Sequence, residues 1–554
     1  MRSGGELLVA CLERQGVDRV FGVPGESYLA VLDALHDSPI DTIITRHEGG
    51  AAMMAEADGK LTERPGIAIV TRGPGATNAA AGVHIAKQDS TPMVLFVGQI
   101  ARRMRGREAF QEVDYRQTFR DIAKWVEEID FADRIPEIIS HAWHVAMSGR
   151  PGPVVLALPE DMLRDKVQGS VAPIVRPADP GVTNKNLSET MAALRAAAHP
   201  AMLLGGSRWT VEARNLAEKF ATKHQLPTAV TFRRQHLFDP MHACYAGDLG
   251  LGANPALVNL LKESDCLLLV GGRLSENPSQ NFTLLEFPKP QQTLIHVHPG
   301  AEELGRIYAP TVSINASPEA FFQAALRDVG DDRDQSRARA AHQSYLAWSA
   351  PQPRDTHGVD MAHVMQVLRD IAPDATITNG AGNYAIWVQR YWRYRRYGSQ
   401  LAPISGSMGY GLPAAIAASL RDPSQTVICF AGDGCFQMTS QEFGAAIQFG
   451  ARPIVIVADN GMYGTIRMHQ ERSYPGRPSG TTIVNPDFAA IARAYGGHGE
   501  TVANNADFAP AFERSLKSGR AALIHVALSP DHITPTSTLG EMRRAARESR
   551  NGHP

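Results

Sequence analysis

The sequence has few cysteines, no long apolar run and no excess of either charge. Its five cysteines are scattered and form no Cys-x-x-Cys pair, which argues against a zinc site or a disulfide framework and fits a reducing, cytoplasmic compartment. No apolar run reaches membrane-spanning length, and the N-terminal segment carries charges where a signal peptide needs an apolar core. A formal net charge of −2 gives no electrostatic reason to expect nucleic acid or a membrane as a partner.

The composition is that of a globular chain that is too long for a single core. With 554 residues, 44% of them hydrophobic and 20% charged, the sequence predicts two to four domains. Apolar runs of strand length alternate with segments of helix length, which predicts an α/β fold with three doubly wound parallel-sheet domains. A proline-rich linker at 171–181 follows the first block, and the predicted domains span 1–170, 185–345 and 358–540.

The segment 426–464 carries the most specific chemical pattern in the chain. Two runs rich in Val and Ile flank a helix-length segment; the first ends at Asp433 in a Gly-Asp-Gly turn, and the second ends 27 residues later at Asn460. Neighbouring parallel strands would bring both side chains to one edge of a sheet. Such oxygen ligands suit Mg²⁺ that also holds a diphosphate, and glycines let the backbone approach phosphates. An ordinary βαβ unit with a polar turn is the alternative.

This pattern resembles the cofactor motif of the thiamine diphosphate (ThDP) enzymes. The resemblance implies a pyrimidine-binding first domain, a central domain and a diphosphate-binding third domain. It implies that Asp433 and Asn460 bind the metal through their side chains and Met462 through its backbone carbonyl. The residues it assigns to cofactor binding are Pro24, Gly25, Asn78, Ala381, Gly382, Asn383, Tyr384, Gly406, Met408, Gly432, Asp433, Gly434, Cys435, Asn460, Met462, Tyr463, Gly464 and Thr465.

Glu48 and Met408 are two of the predicted catalytic residues. Glu48 stands where a strand ends and a helix begins, and in the ThDP enzymes a carboxylic acid at this place hydrogen-bonds N1′ of the cofactor. A first-turn glutamate that complements the helix dipole is the alternative. Met408 matches the large apolar residue that holds the cofactor rings in a V shape, with a core methionine as the alternative. The family pairs Glu48 of one subunit with the diphosphate site of another, which implies a homodimer at least and predicts a tetramer.

Over most of its length the sequence resembles the catalytic subunit of acetolactate synthase. The matching stretches are FGVPG at 21–25, TRGPGATNAAAG at 71–82, AFQEVD at 109–114 and SMGYGLPAA at 407–415. The resemblance implies decarboxylation of a 2-oxo acid such as pyruvate and transfer of the resulting enamine to a carbonyl acceptor. It places Gln111 in the active site and Lys124 near its mouth, although Lys124 also fits an exposed helix lysine.

Departures from that family concern the substrate side of the site. His469 stands where the family has a tryptophan that narrows the acceptor pocket. There it is a catalytic candidate that would hydrogen-bond a hydroxyl or carboxylate or act as an acid/base, and a histidine that caps a surface helix is the alternative. Glu26 replaces a small residue, and Asn383-Tyr384 replaces a Gln-His pair. A ThDP-dependent decarboxylase, oxidase or diketone hydrolase therefore stays open, as does a non-catalytic ThDP-binding protein.

A flavin is the last cofactor that the resemblance brings into consideration. Some acetolactate synthases bind FAD on the central domain, and the glycine-rich strand ends there resemble that surface. Gly205, Gly206 and Arg273 are the candidate FAD contacts, with the arginine pairing with a pyrophosphate. Glycine-rich strand ends occur in any α/β domain, so this signal has low specificity.

Overall fold

The computed structural model describes residues 1–330, 333–354 and 356–551. It contains three parallel six-stranded sheets flanked by helices. The predicted α/β class with three doubly wound sheets is confirmed. The chain divides into two compact units, the first comprising Met1–Asp179 with Ile416–Arg421 and the second comprising the remainder. None of the described helices is both long and apolar enough to cross a membrane.

The first unit holds one of the three sheets. Its strands are β2 (Arg19–Gly22), β3 (Asp41–Ile44), β4 (Gly66–Val70), β5 (Met93–Gln99), β6 (Trp125–Glu128) and β7 (Pro153–Pro159), in the order β3-β2-β4-β5-β7-β6. A short antiparallel pair joins β1 (Arg2–Ser3) to β8 (Lys166–Val167). The helices are α1 (Gly4–Arg14), α2 (Leu29–His36), α3 (Glu48–Thr62), α4 (Pro74–Asp89), α5 (Tyr115–Thr118) and α6 (Ile135–Met147). Every residue of β4, β5 and β7 is buried, as a sheet covered on both faces requires.

The second unit holds the other two sheets. The central strands are β9 (Pro200–Leu204), β10 (Thr228–Thr231), β11 (Tyr245–Leu249), β12 (Cys266–Val270), β13 (Thr293–His298) and β14 (Val312–Asn315), in the order β11-β10-β9-β12-β13-β14. The central helices are α7 (Asn184–Ala196), α8 (Val211–His224), α9 (Pro255–Lys262), α10 (Pro318–Ala325) and α11 (Ser336–Trp348). This last helix runs a little past the predicted domain end at 345.

The third sheet carries the Gly-Asp-Gly segment. Its strands are β15 (Thr376–Asn379), β16 (Gln400–Leu401), β17 (Val427–Gly432), β18 (Ile454–Asp459), β19 (His498–Val502) and β20 (Ala522–Ala527), in the order β16-β15-β17-β18-β20-β19. The helices are α12 (Met361–Ile371), α13 (Tyr384–Tyr391), α14 (Gly411–Arg421), α15 (Asp433–Gln437), α16 (Phe443–Gln448), α17 (Gly464–Ser473), α18 (Phe488–Ala494), α19 (Asn505–Lys517) and α20 (Leu539–Asn551). Helix α20 extends past the predicted domain end at 540.

The first and third sheets share one strand order, although the sequence shows no evident internal repeat. In both sheets the first strand in the chain lies between the second and the third, so the strand order reverses beside it. Ligands of open α/β sheets bind in the crevice that such a reversal opens at the carboxyl ends of the strands. The fold therefore points to the ends of β2 and β4 in one sheet and of β15 and β17 in the other.

Candidate functional site

A cavity of about 230 Å³ lies at the carboxyl edge of the third sheet. Gly432 at the end of β17 pairs with Ala458 near the end of β18, so that Asp433 and Asn460 follow two neighbouring strands. All the cofactor-binding residues predicted in this domain, from Ala381 to Thr465, line this one cavity. The cavity is also lined by residues that the sequence did not single out, namely Trp387, Ala458, Ile466, Leu528, His532 and Ile533.

The carboxylate of Asp433 is buried beside a second carboxylate. One amide, that of Asn485, donates to Oδ2 of Asp433 at 2.7 Å and to Oδ1 of Asp459 at 2.8 Å. The imidazole of His525 contacts the other oxygen of Asp459 at 2.8 Å. Burial first, and the nearby charge of Asp459 in addition, raise the pKa of Asp433 to about 6. A bound cation would offset this unfavourable burial of negative charge, so the site fits a divalent metal ion.

The remaining predicted metal ligands also offer oxygen atoms. In the described residues the Asn460 side chain has no hydrogen-bond partner. The loop around Met462 is held by two backbone hydrogen bonds of 2.9 Å, from Tyr463 to Thr481 and from Ile483 to Gly461. Across the described ranges no group of three or more His, Cys, Asp or Glu residues is placed to hold a metal. A carboxylate, an amide and a carbonyl are instead the oxygen ligands that suit Mg²⁺ completed by water or phosphate.

Gly434 has a packing reason to be glycine. A Cβ at this position would lie 2.6 Å from the ring of Tyr463 and 3.1 Å from Ile483. The aromatic ring that follows the Asn460 loop therefore covers the Gly-Asp-Gly turn directly. Any larger residue at 434 would push this turn away from the loop that follows Asn460.

Asn383 and Tyr384, predicted to cradle the diphosphate, already have partners within the chain. The amide oxygen of Asn383 accepts from the hydroxyl of Thr465 at 2.8 Å, and its nitrogen donates to the carbonyl of Ile533 at 3.2 Å. The buried hydroxyl of Tyr384 contacts Sγ of Cys435 at 3.3 Å. These contacts fasten the turn before α13 to α15 and α17, so the two side chains support the wall of the cavity.

Helix α20 supports the same wall from behind. The guanidinium of Arg543 donates two hydrogen bonds, of 2.7 and 2.9 Å, to the carboxylate of Glu471 on α17. Glu471 is 1% exposed, and the Arg543 contact lowers its pKa to about 2. Apolar residues of α17 and α20, with Ile533 between them, form a small core under the cavity.

In the first unit, the predicted glutamate lies at the crevice marked by the strand order. Glu48 is the first residue of α3, and the amide of Asn78 on α4 donates to its Oε2 at 2.9 Å. A Cβ at Gly25 would lie 2.4 Å from Cβ of Thr71, so the Pro24-Gly25 loop lies against the end of β4. Pro24-Gly25 and Glu48 therefore follow the ends of β2 and β3, and Asn78 lies on α4, the helix that follows β4.

Gln111 adopts a strained conformation beside the same loops. Its φ angle is 64°, and its side-chain oxygen is buried without a partner in the part of the chain that the structure describes. A Cβ placed on Gly73 would lie 2.8 Å from the Cβ of Gln111. A non-glycine residue with positive φ and an unpaired buried polar atom is typical of functional positions.

The sequence also singled out His469, Lys124 and Glu26. His469 is exposed on α17 and does not line the cavity around Asp433. Lys124 lies in no helix, and its ammonium donates to the carbonyls of Ser148 and Arg150 at 2.7 and 2.8 Å. Glu26 pairs with Arg72, which also contacts Glu160, each at 3.2 Å.

The candidate FAD residues of the central domain follow the ends of two neighbouring strands, β9 and β12. Gly206 has a φ of +72°, and a Cβ there would lie 1.8 Å from the carbonyl oxygen of Gly271, so two strand-end loops cross at this point. A Cβ at Gly205 would lie 2.3 Å from the hydroxyl of Thr231. Arg273 lines a separate cavity of about 150 Å³ with His296, Glu303, Arg306 and Tyr308 among its walls.

Comparison with known proteins identifies the family. Residues 2–118, 187–325 and 380–526 match the N-terminal TPP binding domain, the central domain and the C-terminal TPP binding domain of the thiamine pyrophosphate enzymes. The chain belongs to the thiamine pyrophosphate enzyme family. Thiamine pyrophosphate is the same compound as ThDP, so the resemblance seen in the sequence is confirmed.

Among characterised relatives, the chain is similar to acetolactate synthases over nearly its full length. It is 29% identical to acetolactate synthase isozyme 2 large subunit of Escherichia coli over 95% of both chains. It is 30% identical to the acetolactate synthase large subunit of Parasynechococcus marenigrum, over 89% of this chain and 82% of that one. It is 29% identical to the acetolactate synthase of Bacillus subtilis, over 94% and 92% of the two chains. The protein is therefore an enzyme of the ThDP family with an acetolactate synthase-like chain.

Proposed function

We propose that this ThDP enzyme uses Mg²⁺ and is an acetolactate synthase-like carboligase. It would decarboxylate a 2-oxo acid of the pyruvate type and transfer the two-carbon unit to a second carbonyl compound. The observation that carries the proposal is the convergence of Asp433, Asn460 and the 460–465 loop on one cavity at the carboxyl edge of the third sheet. When bound, ThDP supplies the nucleophilic carbon and the electron sink for this chemistry.

The chain's own residues divide the work of holding the cofactor. Asp433, Asn460 and the carbonyl of Met462 would coordinate Mg²⁺, which in turn would hold the diphosphate. Met408 lines the same cavity and would set the orientation of the cofactor rings by packing. Glu48, oriented by Asn78, would hydrogen-bond N1′ and exchange a proton there.

Gln111 and the charged pair beside it would face the substrate. The unpaired side-chain oxygen of Gln111 has hydrogen-bonding capacity left for a hydroxyl or an amine. Glu26, held by Arg72, adds a carboxylate beside the predicted cofactor residue Gly25. This polar wall favours a substrate with more polar groups than the branched-chain precursors that acetolactate synthases use.

A decarboxylase, oxidase or diketone hydrolase is the second candidate, and Glu26 is the observation that favours it. A carboxylate next to the cofactor loop offers a proton acceptor that would activate water, which a hydrolytic cleavage requires. A carboligase needs an acceptor pocket in that place instead. The products of the reaction therefore decide between the two candidates.

The deciding experiment is product analysis with a panel of 2-oxo acids and diketones in the presence of ThDP and Mg²⁺. We expect acetolactate, or another acyloin, as the main product from pyruvate. Acetaldehyde or acetate alone would support the second candidate, and turnover of a diketone without a 2-oxo acid would support a hydrolase. Parallel reactions without ThDP provide the control, and no product from any substrate while ThDP is bound would refute catalysis by this chain.

We also propose that the protein is cytoplasmic. We propose that it assembles as a homodimer or tetramer, because in the family each active site combines the Glu48 region of one subunit with the Asp433 region of another. Sedimentation analysis of the purified chain would test the assembly.

FAD binding stays a proposal that rests on Arg273. Backbone packing accounts for Gly205 and Gly206, whereas the central sheet has the strand order found in dinucleotide-binding folds. We expect the purified protein to show flavin absorbance bands, either as isolated or after addition of FAD and removal of the excess. A spectrum without these bands under both conditions would refute the proposal.

A further inference from the structure

Arg233 is a buried arginine of the central domain that contacts two loops of the cavity around Asp433. It follows β10 and is 6% exposed. Nη2 of its guanidinium donates to the carbonyl oxygen of Gly380 at 2.9 Å, and Nη1 donates to the carbonyl oxygen of Pro403. Arg233 is not among the described residues that line the cavity. Any effect that it has on a bound cofactor therefore passes through these two carbonyl groups.

The first carbonyl belongs to the cradle loop, residues 380–383, which follows β15. Gly380 begins this loop, and the next three residues line the cavity. A Cβ at Gly380 would lie 2.6 Å from Sγ of Cys435 and 3.3 Å from the carbonyl oxygen of Ser407. The cradle loop thus packs between α15 and the loop that carries Met408, so a shift of Gly380 would be felt by both.

The second carbonyl belongs to the Met408 loop, residues 403–408. The carbonyl oxygen of Pro403 accepts from the backbone N–H of Gly406 at 3.1 Å, which closes a tight turn in which Gly406 has a φ of +67°. Gly406 and Met408 both line the cavity. Arg233 donates to the same oxygen that closes the turn, so it also restrains the turn that presents Met408.

The surroundings of Arg233 hold its side chain in this position. Its φ angle is 58°, a left-handed conformation that is unfavourable for a residue other than glycine. Its guanidinium carbon lies 4.8 Å from the ring centroid of Phe232. Two side rows on, Gln235 and Gln400 of β16 exchange hydrogen bonds of 2.8 and 3.0 Å. A planar guanidinium with donors in a fixed geometry can then set the distance between two carbonyl groups.

We propose that Arg233 is a positioning residue that holds the cradle loop and the Met408 loop in the arrangement that binds ThDP. The cradle loop would contact the diphosphate and Met408 would contact the rings, so one guanidinium would restrain both ends of the cofactor site. This inference rests on the proposed function, and it adds a residue of the central domain that the cofactor motif does not contain. A general role in joining the central domain to the third sheet is the alternative.

Hydrogen–deuterium exchange of the ligand-free full chain, followed by mass spectrometry, tests the positioning itself. Arg233→Met removes both donors and keeps a long side chain. We expect amides of 380–383 and 403–408 to exchange at least about tenfold faster than in the wild type, because two hydrogen bonds from a charged group are lost. Amides of β12 and β13, which do not pair with β10, should exchange within about twofold of the wild-type rate.

Calorimetric titration with Mg²⁺–ThDP tests the consequence for the cofactor. Arg233→Met should bind at least about tenfold more weakly, because binding would then have to order the two loops. Arg233→Lys keeps the charge but not the planar fork of donors, so its affinity and its loop exchange should lie between those of the wild type and Arg233→Met.

Arg337→Met is the matched control. Arg337 on α11 also donates to backbone carbonyl groups, those of Pro200 at 2.6 Å and Leu260 at 3.1 Å, but within the central domain alone. We expect this variant to show wild-type exchange in the cradle and Met408 loops and an affinity for Mg²⁺–ThDP within about twofold of the wild type. Thermal unfolding without ligand would compare the stability of the variants.

Three results would overturn the proposal and leave the proposed function intact. Wild-type exchange of both loops in Arg233→Met would refute the positioning. Faster exchange throughout the central sheet, with an equal loss of ThDP affinity in Arg337→Met, would assign Arg233 a general structural role. Faster loop exchange with unchanged ThDP affinity would refute a role in cofactor binding. Absence of ThDP binding by the wild-type chain would instead overturn the proposed function together with this inference.

Discussion

Asp433→Asn is expected to abolish Mg²⁺-dependent binding of ThDP while leaving the ligand-free protein folded. The asparagine keeps the shape of the side chain and loses the negative charge that a divalent cation requires. We expect the affinity for Mg²⁺–ThDP to fall at least about a hundredfold, because a buried charged ligand of the metal is lost. Calorimetric titration with Mg²⁺–ThDP measures this, and binding at wild-type strength would refute the metal site.

Although Asp433→Asn should weaken ligand binding, it should not lower the free energy of unfolding of the ligand-free protein. The pKa of Asp433 is raised to about 6 in the fold, so the ionised carboxylate is disfavoured there relative to the unfolded chain. This unfavourable contribution develops as the pH rises from near 4 and is complete above 6. Without ligand, Asp433→Asn should therefore equal or exceed the wild type in stability at pH 7–8, by on the order of 1–3 kcal/mol.

Thermal unfolding with and without Mg²⁺–ThDP tests both halves of this prediction. Ligand at about a hundred times the wild-type Kd should stabilise the wild type by about 2.7 kcal/mol and the variant by no more than about 0.4 kcal/mol. A variant that is less stable than the wild type without ligand would show that Asp433 has a structural role in addition to metal binding.

Much of this site was predictable from the sequence because ligands of parallel α/β sheets bind at the carboxyl ends of the strands. Asp433 and Asn460 follow two apolar runs, and parallel neighbours bring such ends to one edge whatever the details of packing. His532 also follows a strand of this sheet, β20, which pairs with β18. Its position after an apolar strand was visible in the sequence, but no motif distinguished it from an ordinary loop histidine.

Other features depend on contacts that sequence spacing does not encode. Asn485 lies beyond α17 and bridges Asp433 to Asp459 only through the return of its loop. Strands β6 and β19 lie at sheet edges and are mostly half-buried, so they lack the continuous apolar runs that mark central strands. Gly205 and Gly206 show the same limit, since a glycine-rich strand end allows close packing of loops as well as nucleotide binding, and the sequence does not separate the two.

Glu48→Gln is expected to abolish turnover while ThDP remains bound. Glutamine is isosteric and its carbonyl can still accept the hydrogen bond from Asn78, which lies 2.9 Å from Oε2 in the wild type. It cannot give or take a proton, and loss of a general acid–base group lowers rates by about 10²–10⁴-fold. Steady-state rates with pyruvate, set beside calorimetric binding of Mg²⁺–ThDP, measure the two effects separately.

Asn78→Ala gives the matched comparison for Glu48→Gln. It leaves the carboxyl group intact and removes the hydrogen bond that orients it, so we expect a smaller loss of rate, about tenfold. A wild-type rate for Glu48→Gln would refute the proton-transfer role and favour the simpler role of Glu48 as a first-turn residue of α3. Equal losses for both variants would assign the effect to geometry, because the proton-carrying group is absent in only one of them.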